Sequence, residues 1–401
     1  MMSDEPSSQH YLDFAATSAV RPPEVTQAVH EALTGLGASP GRGGHNPSVD
    51  AGRTVFRARR AVAGLLGLPG DPGRVAFLMN ATQALNCALY GLTKPGDAVV
   101  FTQYDHNAVL RPVSRLARER DVEARMIQGA PDGSVDLEEA EERLDGARLL
   151  VVNAVSNVLG TRLPLESLAN RAHDAGALVL VDAAQSAGHL PQRPAEEGAD
   201  LVAFTGHKGL LGPQGVGGLW VREDLDMEPL LCGGTGGDSR RREMPARFPE
   251  RLEAGTPNVP GIAGLLAGCR YLRESGVEAI HRRTSALKER LRDGLDAAPG
   301  VRVLSPPDPD GGAVVTVTVE GMDPAAVAKE LAERWGVLTR AGLHCAPEAH
   351  RLLGTEEEGA VRFSLGWAST EEDVHRAVEG MDAVAASPRS AAGGSHRAEV
   401  G

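Results

Sequence analysis

The chain has 401 residues, 42% of them hydrophobic and 24% charged, with a formal net charge of −13 and a sequence pI of about 5.4. That size predicts one large domain plus a smaller one, each with its own core. The acidic balance leaves no basic stripe for phosphates, and no apolar stretch reaches membrane-spanning length, so neither nucleic acid nor a membrane is expected as a partner.

In chain order, Met1 to Gln9 is polar, with no basic start and no apolar run, so no signal peptide is expected. Gly41-Arg42-Gly43-Gly44-His45 is a glycine-rich loop, read as lining the mouth of a substrate site through His45. Val75 to Leu78 is strand-like and runs into Asn80-Ala81-Thr82-Gln83, which has the look of a helix start. Further predicted strands are Asp97 to Phe101, Leu149 to Val152, Ala177 to Asp182, Leu201 to Phe204 and Gly217 to Val221. Nearly continuous apolar strands separated by helices predict an α/β fold whose mostly parallel sheet is covered on both faces. Functional groups of such sheets collect beyond the carboxyl ends of the strands.

Near Ile262 the texture changes. A long helical pattern runs to Ala298, followed by an alternating strand at Ala313 to Val319, a helix at about Pro324 to Trp335, a strand at Val361 to Leu365 and a last helix from Glu371. The expected division is an N-terminal segment, 1–20, packing with the small domain, a large domain over 21–262, a small α+β domain over 263–385, and a disordered tail over 386–401, rich in Ser, Ala, Gly and Arg. The cysteines are Cys87, Cys232, Cys269 and Cys345; with no paired metal-ligand spacing among them, no metal site is expected and a reducing cytoplasm is the natural setting.

Lysine is scarce: Lys94, Lys208, Lys288 and Lys329 are the whole supply, arginine carrying the remaining positive charge. Lys208 lies in Phe204-Thr205-Gly206-His207-Lys208-Gly209, just past a strand. A lysine kept there suggests a demand for an amine, which can lose its proton and form a Schiff base where arginine cannot; the bland alternative is a surface-loop lysine. Asp182 ends the preceding strand. It either caps the next helix or faces a buried cation such as the protonated ring nitrogen of pyridoxal phosphate. The backbone N–H groups at Ala81 and Thr82 and the Thr82 hydroxyl suit a phosphate at a helix start, and Thr205 and His207 can add donors. His106 either stacks on a pyridine ring or is a solvated loop histidine. Asn157 and Gln185, both past strand ends, have amides suited to a ring hydroxyl.

Taken together these motifs resemble the class V aminotransferase-fold enzymes of PLP fold type I, and within them the cysteine desulfurases. The resemblance rests on Tyr11 to Ala16, Asn80-Ala81-Thr82, Asp105-His106, Ser156 to Thr161, Asp182-Ala183-Ala184-Gln185 and Thr205-Gly206-His207-Lys208, and it runs to about Ala383. It implies a large domain with a seven-stranded sheet, pyridoxal 5'-phosphate bound covalently to Lys208, Asp182 paired with the pyridine nitrogen, and Gln185 on the ring hydroxyl. Glu253 to Asn258 resembles the segment that lends a phosphate-binding threonine, here Thr256, to a neighbouring subunit, implying a homodimer with shared sites.

Cys345 lies in Arg340-Ala341-Gly342-Leu343-His344-Cys345-Ala346-Pro347, bracketed by Gly and Pro as a loop. Arg340 and His344 are nearby cations or donors able to favour a thiolate. The segment resembles the loop of the group II, selenocysteine-lyase-like desulfurases whose cysteine takes sulfur from the substrate; Ala341 and Leu343 depart from the more polar residues usual there. The resemblance also implies that Arg362 grips the substrate carboxylate, with Asn157 and Arg340 nearby; its plain alternative is a strand-edge surface arginine. The function expected is a desulfurase that converts L-cysteine to L-alanine through a persulfide on Cys345, with Lys208 and His106 also catalytic, and hands the sulfur to an acceptor protein or small molecule. A selenocysteine lyase, a cystine C–S lyase, another class V enzyme and a non-catalytic sulfur-delivery scaffold are the alternatives.

Overall fold

The computed structural model describes residues 9–36, 38–40, 43–236 and 240–386. The tail expected at 386–401 lies outside them but for Ala386, which closes the last helix, and Gly41 and Arg42 of the glycine-rich loop lie outside them too. The described chain opens with strand β1 (His10–Tyr11) and helices α1 (Pro23–Glu31) and α2 (Asn46–Leu66). There follow β2 (Val75–Leu78), α3 (Ala81–Leu92), β3 (Ala98–Thr102), α4 (Asn107–Arg120), β4 (Glu123–Ile127), α5 (Leu137–Leu144), β5 (Leu149–Asn153), α6 (Leu165–Asp174), β6 (Leu178–Asp182), β7 (Leu201–Thr205) and β8 (Gly217–Val221). These strands form one seven-stranded sheet in the order β2-β8-β7-β6-β5-β3-β4.

The strands from β7 across to β4 pair in parallel, while β8 runs antiparallel to both of its neighbours. Alternate residues feed two core layers: Leu150 and Val152 of β5 enter one, Leu149 and Val151 the other. This two-sided burial is why the central strands read as unbroken apolar runs. Strand β4 gave no such signal because it is an edge, with Glu123 and Ala124 exposed.

The helical pattern expected from Ile262 to Ala298 is two helices, α7 (Val259–Ser275) and α8 (Val277–Ala297), parted by Gly276 at φ +79°. A side chain is disfavoured at that angle, so glycine marks the break. Ile262, Leu265, Leu266, Cys269 and Leu272 of α7 pack into the large sheet's core, whereas Leu287, Leu291 and Leu295 of α8 enter a separate core. The change of core therefore falls within α8, between Ile280, still in the large sheet's core, and Leu287.

The chain continues with β9 (Val301–Val303), β10 (Val314–Val319), α9 (Pro324–Trp335), β11 (Val337–Leu338), β12 (Arg340–Gly342), α10 (Pro347–Leu352), β13 (Ala360–Ser364) and α11 (Glu371–Ala385). Of these, β9, β10, α9, β11, β13 and α11 complete that second core, while Ala349 of α10 packs with Val158 of the large domain. Four strands pair antiparallel in the order β12-β13-β10-β9. The N-terminal segment joins this unit: β1 pairs in parallel with β11, and Leu12 lies in its core. Among the described residues no helix is long and apolar enough to cross a membrane.

A buried ion pair ties the loop after β8 to the large sheet. Arg59 of α2 donates two hydrogen bonds of 2.6 Å to Glu253, whose carboxylate also accepts the Phe77 N–H of β2. Removing one member of a buried pair strands the other charge. Glu253→Ala is therefore expected to cost about 3–5 kcal/mol, seen as a lower denaturation midpoint, while Arg59→Met with Glu253→Leu together should recover most of it.

Candidate active site

Four strand ends meet at one edge of the large sheet. Thr102 closes β3, Asn153 closes β5, Asp182 closes β6 and Thr205 closes β7. Register places Asn153 opposite Asp182, and Asp182 opposite Ala203. Beyond them lies a cavity of about 150 Å³. Asn80, Ala81 and Thr82 form one wall, His106 and Asn157 another, and Asp182, Gln185, Thr205, His207 and Lys208 complete it.

Lys208 is held there by its backbone. Its carbonyl accepts the Ser18 hydroxyl at 2.9 Å, and the preceding His207 carbonyl accepts the Ser18 N–H at 2.8 Å. The flanking glycines serve close packing: a Cβ on Gly206 would stand 2.9 Å from the Val216 carbonyl oxygen, and one on Gly209 2.4 Å from that of Ala187. Burial lowers the Lys208 amine to a pKa of about 8, with the Asp182 carboxylate opposing the drop. His207 is turned to the N-terminal segment, its Nδ1 3.1 Å from the Thr17 hydroxyl.

Asp182 is buried, and burial raises its pKa, against the Ala184 N–H and the charge of Lys208. One carboxylate oxygen accepts that N–H at 2.9 Å. A cation brought into the cavity is what such a carboxylate lacks. Thr205 Oγ1 and Asn157 Oδ1 are buried cavity-lining atoms with no hydrogen-bond partner. Asn80 caps α3 by accepting the Gln83 N–H at 2.9 Å. The first-turn N–H groups of Ala81 and Thr82 have no intrahelical acceptor by construction, so the helix start is open to an anion. An acid wanting a cation, unpaired hydroxyl and amide oxygens, an open helix start and an amine together fit pyridoxal phosphate.

His106 caps α4, its Nδ1 accepting the Ala108 N–H at 2.9 Å, which leaves the ring proton on Nε2. Burial, helped by Lys208, pulls its pKa down to about 4, so it faces the cavity neutral. Gln185 lines the cavity and donates to the Ala15 carbonyl at 3.1 Å.

Cys345 lies on the loop after β12. It and His344 both adopt left-handed backbone, at φ 58° and 50°. Two successive side-chain-bearing residues there cost of order 1–3 kcal/mol each and need support from their surroundings. The large domain supplies some of it: Asn157 Nδ2 donates to the His344 carbonyl at 2.7 Å, and the Asn107 N–H donates to the Cys345 carbonyl at 2.7 Å. Arg340 Nη2 stands 3.9 Å from Cys345 Sγ. His344, expected as a cation or donor beside the thiol, is neither toward the sulfur: burial and the Arg362 guanidinium drive its pKa down to about 3, and both ring nitrogens are engaged away from the sulfur.

Arg362 lies on β13, a strand paired on both sides, and is 2% exposed, which excludes a surface role. It donates to Asp13 at 2.8 Å and to the Asn157 carbonyl at 3.1 Å, and its Nε is buried without a partner. Arg340, Cys345 and Arg362 do not line the cavity themselves; Arg362 and the loop of Cys345 are bonded to Asn157 of its wall, whereas His45 and Thr256 are not brought to it. His45 is exposed and caps α2, its Nδ1 accepting the Ser48 N–H at 3.3 Å. Thr256 is exposed and lines a different cavity, of about 280 Å³. Thr17, Ser18 and Asn153, by contrast, shape the site without any local pattern that announced them, and Asp13 falls in the Tyr11-to-Ala16 motif with no role assigned to it there.

Known proteins resemble this chain over nearly its whole length. Residues 10–377 match the family model of class-V aminotransferases. The chain is 36% identical to a probable cysteine desulfurase of Methanothermobacter thermautotrophicus, over 94% of each chain. It is 34% identical to a cysteine desulfurase of Haloferax volcanii, over 95% of this chain and 90% of that one. Its fold superposes on the apo structure of a cysteine desulfurase from Thermococcus onnurineus with a TM-score of 0.87 and 35% identity, covering 94% of both.

Proposed function

The chain belongs to the class-V aminotransferase family and to the cysteine desulfurases within it, and from that premise we propose that it is a pyridoxal phosphate enzyme that takes sulfur from L-cysteine, leaving L-alanine and a persulfide on Cys345. The observation that carries this reading is the placing of the Lys208 amine and the buried Asp182 carboxylate on one small cavity, with Asn157 of its wall bonded to the loop of Cys345.

Lys208 would hold the cofactor covalently, Ala81, Thr82, Thr205 and His207 its phosphate end, and Asp182, Gln185, Asn157 and His106 its ring. Pyridoxal phosphate, when bound, supplies an electron sink for the pair left on the substrate Cα. Lys208, uncharged in an appreciable fraction, takes the Cα proton. Asp182 keeps a proton on the ring nitrogen. Arg362, with its unpartnered Nε, binds the substrate carboxylate beside Asp13. Cys345 sulfur then bonds to the substrate sulfur as the Cβ–S bond breaks. The electron pair of that bond stays with the carbon skeleton and is taken up with a proton at Cβ, Lys208 gives its proton back to Cα, and alanine leaves while the persulfide remains. An acceptor removes the terminal sulfur. We also propose a homodimer in which exposed Thr256 serves the neighbouring subunit; its place on a different cavity from that of Lys208 in its own chain supports this.

The test is turnover by the purified protein with L-cysteine and a thiol reductant. Alanine and sulfide are expected in equal amounts. Formation of pyruvate and ammonia instead, with no alanine, would assign the site to a different cleavage.

A further inference from the structure

Behind Cys345 runs a buried chain of side chains that the proposed chemistry does not use. His350 of α10 is fully buried. Its Nε2 lies 3.0 Å from His344 Nδ1, and its Nδ1 lies 2.8 Å from Thr355 Oγ1. His344 Nε2 lies 3.1 Å from the Arg340 carbonyl oxygen. That carbonyl only accepts, so His344 carries its proton on Nε2 and accepts through Nδ1. His350 must then donate through Nε2, which leaves its Nδ1 to accept the Thr355 hydroxyl. With both rings neutral, this is the one arrangement of protons that satisfies these side-chain contacts. Burial supports this, lowering His344 to about 3 and His350 to about 4, each with Arg362 adding to the drop.

The far end of this chain is the loop that needs support. His344 and Cys345 occupy the left-handed region in succession, and the bonds from Asn157 and Asn107 fix their carbonyls alone. The His344 ring ties the turn to Arg340, whose guanidinium stands at the Cys345 sulfur. Thr355 is itself fixed at the end of α10, its N–H donating to the His350 carbonyl at 2.9 Å.

We propose that His350 and Thr355 are positioning residues that orient the His344 ring and thereby hold Cys345 beside Arg340 in the reactive turn. The proposal rests on Cys345 as the sulfur acceptor. Thr355→Val keeps the shape and removes the donor; Thr355→Ser keeps the donor. His350→Leu breaks the chain, and His350→Gln retains an N–H for His344. In the full-length holoenzyme, two rates are measured: alanine formation from L-cysteine in a single turnover, and alkylation of Cys345 by iodoacetamide without substrate, read at that residue by mass spectrometry. Thr355→Val and His350→Leu are expected to slow alanine formation about tenfold to a hundredfold and to slow alkylation as well. The KM for cysteine and the absorbance of bound cofactor should stay within about twofold of wild type, as ground-state binding is untouched. Thr355→Ser should match wild type, and His350→Gln should fall between His350→Leu and wild type. Wild-type rates in Thr355→Val and His350→Leu, or a Thr355→Ser as slow as Thr355→Val, would overturn the proposal. Alkylation needs no turnover. A wild-type protein that makes no alanine, with alkylation still ordered as above, would therefore sink the desulfurase reading and leave the positioning role standing.

Discussion

Cys345→Ala is expected to bind pyridoxal phosphate with unchanged absorbance and yet to form no persulfide from L-cysteine, with alanine production down by about three orders of magnitude or more, the scale of losing a nucleophile. The other thiols are poorly placed to replace it. Cys87 and Cys269 are each 2% exposed, and burial raises both thiols, that of Cys269 to about 12. Cys232 is exposed, but among the described residues it lines none of the cavities at the sheet edge. Cys345 differs in being half-buried, in a left-handed turn, with a guanidinium N–H directed at its sulfur. Cys232→Ala should accordingly retain wild-type turnover. Selenocysteine sharpens the test, because selenium leaves carbon with less help from an attacking thiol. Cys345→Ala that loses cysteine turnover but keeps selenocysteine turnover locates the residue at the sulfur-attack step. A variant that forms persulfide from cysteine at the wild-type rate would end the assignment.

The parts of the site that were legible lie within a few residues of an apolar strand. Asp182 and Lys208 each follow a continuous hydrophobic run, and such runs are strong signals because both faces of the sheet are covered. Asn80-Ala81-Thr82 was legible for the same reason, as a polar cap between a strand and a helix. What escaped notice is held by contacts between distant residues. Ser18 reaches Lys208 across 190 positions, and Asp13 reaches Arg362 across 349. No spacing rule connects such pairs; only the docking of the N-terminal segment on both domains does. Gly276 escaped because α7 and α8 are apolar in similar rhythm, and a lone glycine inside a helical pattern is often tolerated. His45 was read from a glycine-rich loop that looks like a binding loop; in this chain the ring is exposed and caps a helix, away from the chain's own cavity. His344 differs: adjacency to a cysteine suggested a cation or donor, and burial makes it a neutral link.

Lys208→Ala should abolish covalent capture of the cofactor. Borohydride treatment of the wild-type holoenzyme is expected to fix pyridoxal phosphate to the Lys208 peptide, and to fix none in the variant, whose turnover should fall by about three orders of magnitude or more. The three other lysines give no substitute: Lys94 and Lys329 lie on exposed surface, and Lys288 is bonded to the Asp308 carbonyl far from the sheet edge. Lys208→Arg keeps the charge and should fail equally, since a guanidinium neither condenses with an aldehyde nor accepts the Cα proton. Charge alone would predict rescue by arginine, so the two variants separate an electrostatic role from a covalent one. The amine's lowered pKa adds a pH signature. Burial favours the uncharged form, so the folded pKa sits near 8, below the usual 10.5. At pH 7 roughly a tenth of the amine is then uncharged, against a few parts in ten thousand for an ordinary lysine. Capture of pyridoxal phosphate by the apo-protein should therefore quicken about tenfold per pH unit below that value and level off above it. Replacing Asp182 by asparagine removes the charge that opposes the drop. The levelling point should move to lower pH, even as affinity for the cofactor weakens through loss of the ring-nitrogen partner. A capture profile that keeps climbing to pH 10 would mean that Lys208 is solvated like a surface lysine, and the buried amine at the centre of this site would have to be abandoned.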